Sequence, residues 1–314
     1  MEHKKIRVGV VQATPALFNK EKSIDIVISW IEKGSAAGCE FLLFPESFIP
    51  CYPRGLDFDA VIGKRTDKSR SLWLDYYEAS VDVSGGDLDR LKDAIKKAGL
   101  YVALGVTEKE NTGGSLYCSL LYFNRDGEII GKHRKIKPTG LERYIWAESD
   151  GTGLVSFDLP IGKLGGLICW ENYMPLARMA MFNKGVEIYL APTADARSSW
   201  QATMLHIALE GRCFVLSSNQ FIRKSDYPEK YQSSLMDESE IICGGGSVIY
   251  SPLGETLAGP LWNDEGLLVA DLDFRDLVKS KLDFDVTGHY SRNDIFKLQI
   301  LNQPDIKVEN DMSA

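Results

Sequence analysis

The sequence predicts an α/β protein in which sheets are stacked in layers and covered by helices. Three observations carry that expectation. Short apolar runs recur along the chain, too many for a helical protein. Several are apolar on both parities, FLLF at 41–44 and LGGLIC at 164–169 most clearly, so both faces of those strands must be covered. Others are paired across turn signals, as at N-R-D-G in 124–127, or end on one, as at S-P-L-G in 251–254. A mixed sheet arrangement under helices fits all three better than a repeating βα barrel.

Taken in order, strands are expected over 6–14, 41–47, 101–110, 115–124, 128–135, 163–172, 187–193, 214–220, 245–254 and 267–274. Amphipathic helices are expected near 20–38, 85–98, 175–184 and 199–212, the third opened by Pro175 and closed by Gly185. Two stretches, 48–84 and 221–243, match no regular element; long irregular segments of this kind commonly form lids, substrate-facing walls or subunit contacts. With no internal repeat and no linker-like composition, residues 1–282 read as one domain and 283–314 as a tail. The aromatic start of that tail is expected to be partly ordered, and its last dozen residues mobile.

Composition narrows the function. The 44 acidic residues outnumber the 36 basic ones, a formal charge of -8 that disfavours nucleic acid and anionic lipid as partners. No apolar run is long enough to span a bilayer, and the polar start MEHKKIRVGVVQAT lacks a signal-peptide core, so a cytoplasmic protein is expected. Six widely spaced cysteines form neither a CxxC pair nor a cysteine–histidine array; neither metal nor cofactor is expected.

Three predicted strands end on residues that a core does not explain. Glu46 terminates FLLFPES at the mouth of a buried strand, where burial would raise its pKa and suit it to proton transfer; a glutamate opening a loop would look the same. In EIIGKHRK, alternation puts Ile129, Gly131, His133 and Lys135 on one face, although a basic edge strand protected from aggregation reads alike. Cys169 ends KLGGLIC just before a proline-started helix, where backbone dipoles favour a thiolate only modestly, so a nearby base or cation would be needed to activate it. Glu46 and Lys135 would supply both. His133 and His206 read as structural, and no G-x-S-x-G elbow supports a serine triad.

In this order the three segments resemble the Glu-Lys-Cys triad of the nitrilase superfamily, from VGVVQATP at 8–15 to DVTGHYSRND at 285–294. FPESFIPCYP, HRKIKPTGLERYIW and CWENYMPLAR are similar to true nitrilases more than to amidases or carbamoylases. The resemblance implies a four-layer α-β-β-α sandwich in which Cys169 is the nucleophile, Glu46 the proton carrier and Lys135 the stabiliser of developing charge. It also implies a further glutamate, Glu142, orienting the lysine or the attacking water, and substrate-binding positions at Trp170, Glu171 and Tyr52. Cys51 departs from the family pattern, which has glycine there, and is expected to alter the pocket wall. The implied reaction is hydrolysis of a small organic nitrile to the acid and ammonia by a homodimer or larger homo-oligomer. Amide, N-carbamoyl and cyanide hydrolysis are the alternatives, and a non-catalytic scaffold is disfavoured because the triad is complete.

Overall fold

A computed structural model of the chain describes residues 4–235 and 239–301. The elements run β1 (Lys5–Gln12), α1 (Lys20–Ala36), β2 (Phe41–Leu43), α2 (Asp67–Ala79), α3 (Asp89–Ala98), β3 (Tyr101–Lys109), β4 (Leu116–Phe123) and β5 (Ile129–Arg134) in the first half. The second half holds β6 (Ser156–Leu159), β7 (Gly162–Gly166), α4 (Pro175–Asn183), β8 (Ile188–Pro192), α5 (Ser198–Gly211), β9 (Phe214–Ser218), β10 (Phe221–Arg223), α6 (Glu229–Gln232), β11 (Ile241–Tyr250), β12 (Thr256–Trp262), β13 (Gly266–Asp273) and α7 (Arg275–Ser280).

Two sheets result, one ordered β13-β1-β2-β3-β4-β5 and the other β10-β11-β9-β8-β7-β6 with β12 paired to β11. The central strands β1-β2-β3 and β7-β8-β9 are parallel, as their two-sided apolar sequences require. Three separate cores follow from that two-sidedness. Val8, Phe41, Leu120, Leu164, Ile188 and Leu216 meet between the sheets. Neighbours of opposite parity, Leu42, Val102, Leu104 and Leu121, pack with Ile24, Val27, Leu91 and Ile95 of α1 and α3. On the far side, Tyr189, Ala191 and Val215 pack with Met181 of α4 and with Trp200, Met204 and Ile207 of α5. Three interlayer cores make four layers, α-β-β-α.

The differences from the sequence reading have local causes. The run 41–47 is strand only to Leu43, because the chain turns at Phe44–Ser47 to pass close to β3. The run 163–172 is strand only to Gly166, and Cys169–Tyr173 form a turn of 3₁₀ helix. The stretch 48–84 contains α2, which Thr66 caps by accepting from Ser69 N at 3.0 Å. Strands β6 and β12 and helix α7 were also missed, being short or largely exposed. His206, expected to be a packing residue, is exposed on α5 with Glu210 3.9 Å away. In the tail, Ile295 and Phe296 are exposed, and the dozen residues expected to be mobile lie outside the described region.

Candidate active site

Three chain segments bring the site together where the sheets meet. After β2 the chain runs against β3 so tightly that a Cβ on Gly105 would lie 2.1 Å from Pro45 O and 2.8 Å from Glu46 Cα. Only glycine permits that approach, and it sets the position of Glu46, whose carbonyl also accepts from Gln220 Nε2 at 2.7 Å. Lys135 follows β5, its backbone N–H donating to Cys118 O at 2.8 Å. Cys169 opens the 3₁₀ turn after β7 with φ of 50°, a left-handed conformation that non-glycine residues rarely adopt. Asn172 holds that turn, donating from Nδ2 to Leu167 O at 2.9 Å and Cys169 O at 2.8 Å.

The side chains converge as the sequence implied. Lys135 Nζ donates to Glu46 Oε1 at 2.6 Å and to Glu142 Oε2 at 2.7 Å, and it lies 5.6 Å from the centre of the Trp146 ring. Glu142 also accepts from Tyr52 Oη at 2.7 Å and Thr139 N at 2.7 Å. The Cys169 sulfur accepts from Thr193 Oγ1 at 3.1 Å. Glu46 Oε2 is buried and has no hydrogen-bond partner among the described residues. A cavity of about 430 Å³ reaches Cys169 and Glu142 of this cluster and is lined by Tyr52, Arg54, Glu142, Cys169, Trp170 and Asp195, among others.

Burial raises the Glu46 carboxyl above its ordinary value despite the opposing Lys135 charge, so it is suited to carrying a proton. Burial pulls the Lys135 ammonium down, but Glu46, Cys169 and Glu142 outweigh it and hold the pKa well above the usual lysine value. For Cys169, burial and then Glu46 push the thiol up, so for this sulfur to act as a nucleophile a neighbouring base would have to take its proton. The 3₁₀ turn that begins at Cys169 does not reverse this. The arrangement can therefore run acyl-transfer chemistry with a base that takes up a thiol proton and a fixed cation for developing charge. Among the described residues no group of three or more His, Cys, Asp or Glu converges as metal ligands would.

Trp170 and Tyr52 line the cavity as expected: Trp170 Nε1 donates to Asp195 Oδ2 at 2.9 Å, and the Arg197 guanidinium lies 4.9 Å from its ring. Glu171 does not face the cavity, so the substrate-binding role expected for it is corrected. Its buried carboxylate accepts from His133 Nε2 at 2.8 Å, Ile136 N at 2.5 Å and Ile168 N at 2.7 Å. It thus ties the residue after Lys135 to the residue before Cys169. Cys51 is likewise not in the cavity wall; it is buried at φ of 88°, where glycine is favoured, with its sulfur 3.7 Å from Gln220 Oε1. Lys132 and Arg134, on the other face of edge strand β5, both donate to the buried Glu108. Thr193, Arg54 and the Asp195–Arg197 pair were missed; Thr193 ends the apolar run EIYLAPT, the same strand-end signal that marked the other three.

Comparison with known proteins agrees with this geometry. Residues 7–281 match the carbon-nitrogen hydrolase family profile. The chain is 46% identical to an aliphatic nitrilase of Sinorhizobium fredii (strain HH103) over 96% of this chain and 97% of that one. It is 46% identical to the bifunctional nitrilase/nitrile hydratase NIT4A of Lupinus angustifolius, over 95% and 87% of the two chains. Among solved structures, an amidase from Nesterenkonia sp. shares the fold with a TM-score of 0.67 at 18% identity, over 90% of this chain and 96% of that one. By fold and by sequence over nearly its whole length, the chain belongs to the carbon-nitrogen hydrolase family.

Proposed function

We propose that this protein is a nitrilase, converting a small organic nitrile to the carboxylic acid and ammonia through a covalent intermediate on Cys169. One observation carries the reading: in a chain 46% identical to an aliphatic nitrilase, the Cys169 thiol opens on a cavity beside Glu142, whose partner Lys135 also clamps a buried Glu46 with an unpartnered oxygen. Nitrile carbon is a weak electrophile, so the site must make a strong nucleophile and stabilise charge on nitrogen. Glu46 takes the Cys169 proton as sulfur bonds to the nitrile carbon and delivers it to nitrogen, leaving a thioimidate. Lys135 faces the developing anion; a preorganised donor of this kind is worth about 3–4 kcal/mol of barrier.

Glu46, basic again, deprotonates a water that adds to the thioimidate carbon. The tetrahedral carbon expels ammonia to leave a thioester, and a second water releases the acid and restores the thiol. Expulsion of sulfur instead gives the amide. Glu142 orients Lys135 through the 2.7 Å hydrogen bond, while Trp170 and Tyr52 form substrate-facing walls.

Ammonia, acid and amide measured over a nitrile panel and a matched amide panel test the assignment. Nitriles are expected to yield acid, and Cys169→Ala to abolish it with the fold retained by circular dichroism. Hydrolysis of amides alone would make the enzyme an amidase, and full activity without the thiol would end the mechanism. No helix of the described residues is long and apolar enough to cross a membrane, and the six cysteines are free and buried, which supports a reducing cytoplasmic setting. Exposed Val278, Leu282, Ile295 and Phe296 near the chain end support a homodimer or larger homo-oligomer, to be read by light scattering.

A further inference from the structure

Arg54 stands on the loop beyond Tyr52 and lines the cavity that holds Cys169. It also lines an adjoining cavity of about 260 Å³ that shares Tyr52 and Glu142 with the first, so it sits at their junction. Of the other charged groups at this place, Lys135, Glu142 and Arg197 are matched, while Asp57 in the adjoining cavity accepts, among the described residues, only from Asp59 N at 2.8 Å. Lys135 lies between Glu46 and Glu142, and Arg197 pairs with Asp195 at 2.5 Å. Glu142 spends both oxygens on Lys135, Tyr52 and Thr139 N. Arg54 has no such partner: among the described residues no carboxylate lies within ion-pair distance of it, its Nη2 donates to the Ala194 carbonyl, and its Nε is buried without a hydrogen-bond partner.

A largely desolvated guanidinium without an anion is costly, and what relieves it best is a carboxylate, whose two oxygens match the guanidinium fork. The structure also limits the distance. Arg54 and Cys169 both line the one cavity of about 430 Å³. A ligand reaching both would span only a short chain.

We infer that Arg54 receives a carboxylate of the substrate, so that the favoured nitriles carry an acid group a short aliphatic spacer away from the cyano carbon. The inference rests on the nitrilase reading and narrows it to a substrate class.

The test uses the full-length enzyme with β-cyanopropionate and its neutral methyl ester, each assayed for kcat/KM in the wild type, Arg54→Gln and Arg54→Lys. The wild type is expected to prefer the acid. The acid-to-ester ratio should fall at least about tenfold in Arg54→Gln and be largely kept in Arg54→Lys, which retains the charge. Butyrate should compete with the ester in the wild type and lose that competition in Arg54→Gln. An Arg54→Gln ratio equal to the wild-type ratio, with both substrates slowed alike, would make Arg54 a structural or general catalytic group and overturn the inference. So would a wild type that prefers the ester. Neither result touches the nitrilase reading, which fails separately if no nitrile of a broader panel yields acid.

Discussion

His133 shows how much a single buried residue can say about charge. Its Nδ1 lies 2.9 Å from Gly153 O and its Nε2 2.8 Å from Glu171 Oε2, so both nitrogens face acceptors and the ring must carry both protons. Burial alone would lower its pKa, but the Glu171 carboxylate outweighs burial and raises it above the ordinary 6.5. Since the folded value is the higher one, the ion pair stabilises the fold in full below pH 6.5, and that contribution disappears as pH rises through the folded-state pKa. The stability difference between wild type and His133→Gln, from denaturant unfolding, is therefore expected to be largest at and below pH 6.5 and to shrink on the alkaline side. A difference that stays flat with pH would mean that the ring is neutral. Alternation had placed His133 on the face of Lys135, and that placement holds; what alternation could not reveal was the partner, because Glu171 lies 38 positions away. The same limit misassigned Glu171 to substrate binding, since adjacency to Cys169 and Trp170 says nothing about the direction in which a 3₁₀ turn points each side chain.

At the scale of the element, the site depends on where strands stop. The apolar run through Phe44 reads as one long strand, yet it leaves the sheet after Leu43 because Gly105 lets the Pro45–Ser47 backbone cross β3. Sequence pattern found the end residue Glu46 and missed the crossing, since the requirement is written in β3 and not in the segment that bends. Gly105→Ala would force a Cβ to within 2.1 Å of Pro45 O. Overpacking of this kind costs about 1–3 kcal/mol, and here the strain falls on the segment that carries Glu46. The variant is expected to lose several degrees of Tm and more than tenfold in kcat. Gly114→Ala, where an added Cβ meets nothing within 4 Å, should keep both. Retained kcat in a destabilised Gly105→Ala would show that Glu46 tolerates displacement.

For the molecule as a whole, the groups of the proposed site come from both sheets: Glu46 and Lys135 follow strands of one, while Cys169 and its hydrogen-bond partner Thr193 follow strands of the other. The fold class was legible because apolar runs without polar alternation demand cover on two sides; Glu46 and Cys169 stood out because each ends such a run, whereas Lys135, in the basic stretch KHRK, stood out from that stretch only through the resemblance. How the two sheets are stacked was not legible, because it depends on complementary shapes of residues far apart in sequence. The spacing between the proposed nucleophile and its proposed base is therefore set by the inter-sheet core and only indirectly by the outer cores under the helices. Leu190 belongs to the inter-sheet core, and its carbonyl accepts from Leu167 N at 3.0 Å, two residues before Cys169. Leu91 on α3 is as deeply buried but belongs to a helix-facing core. Replacing either leucine by alanine should cost about 2–5 kcal/mol by loss of transfer energy and creation of a cavity. Assayed at a temperature where both variants remain folded, Leu190→Ala is expected to lower kcat/KM by more than tenfold and Leu91→Ala by less than about threefold. Equal losses at equal destabilisation would mean that general stability, and not the stacking of the sheets, governs the geometry of the site.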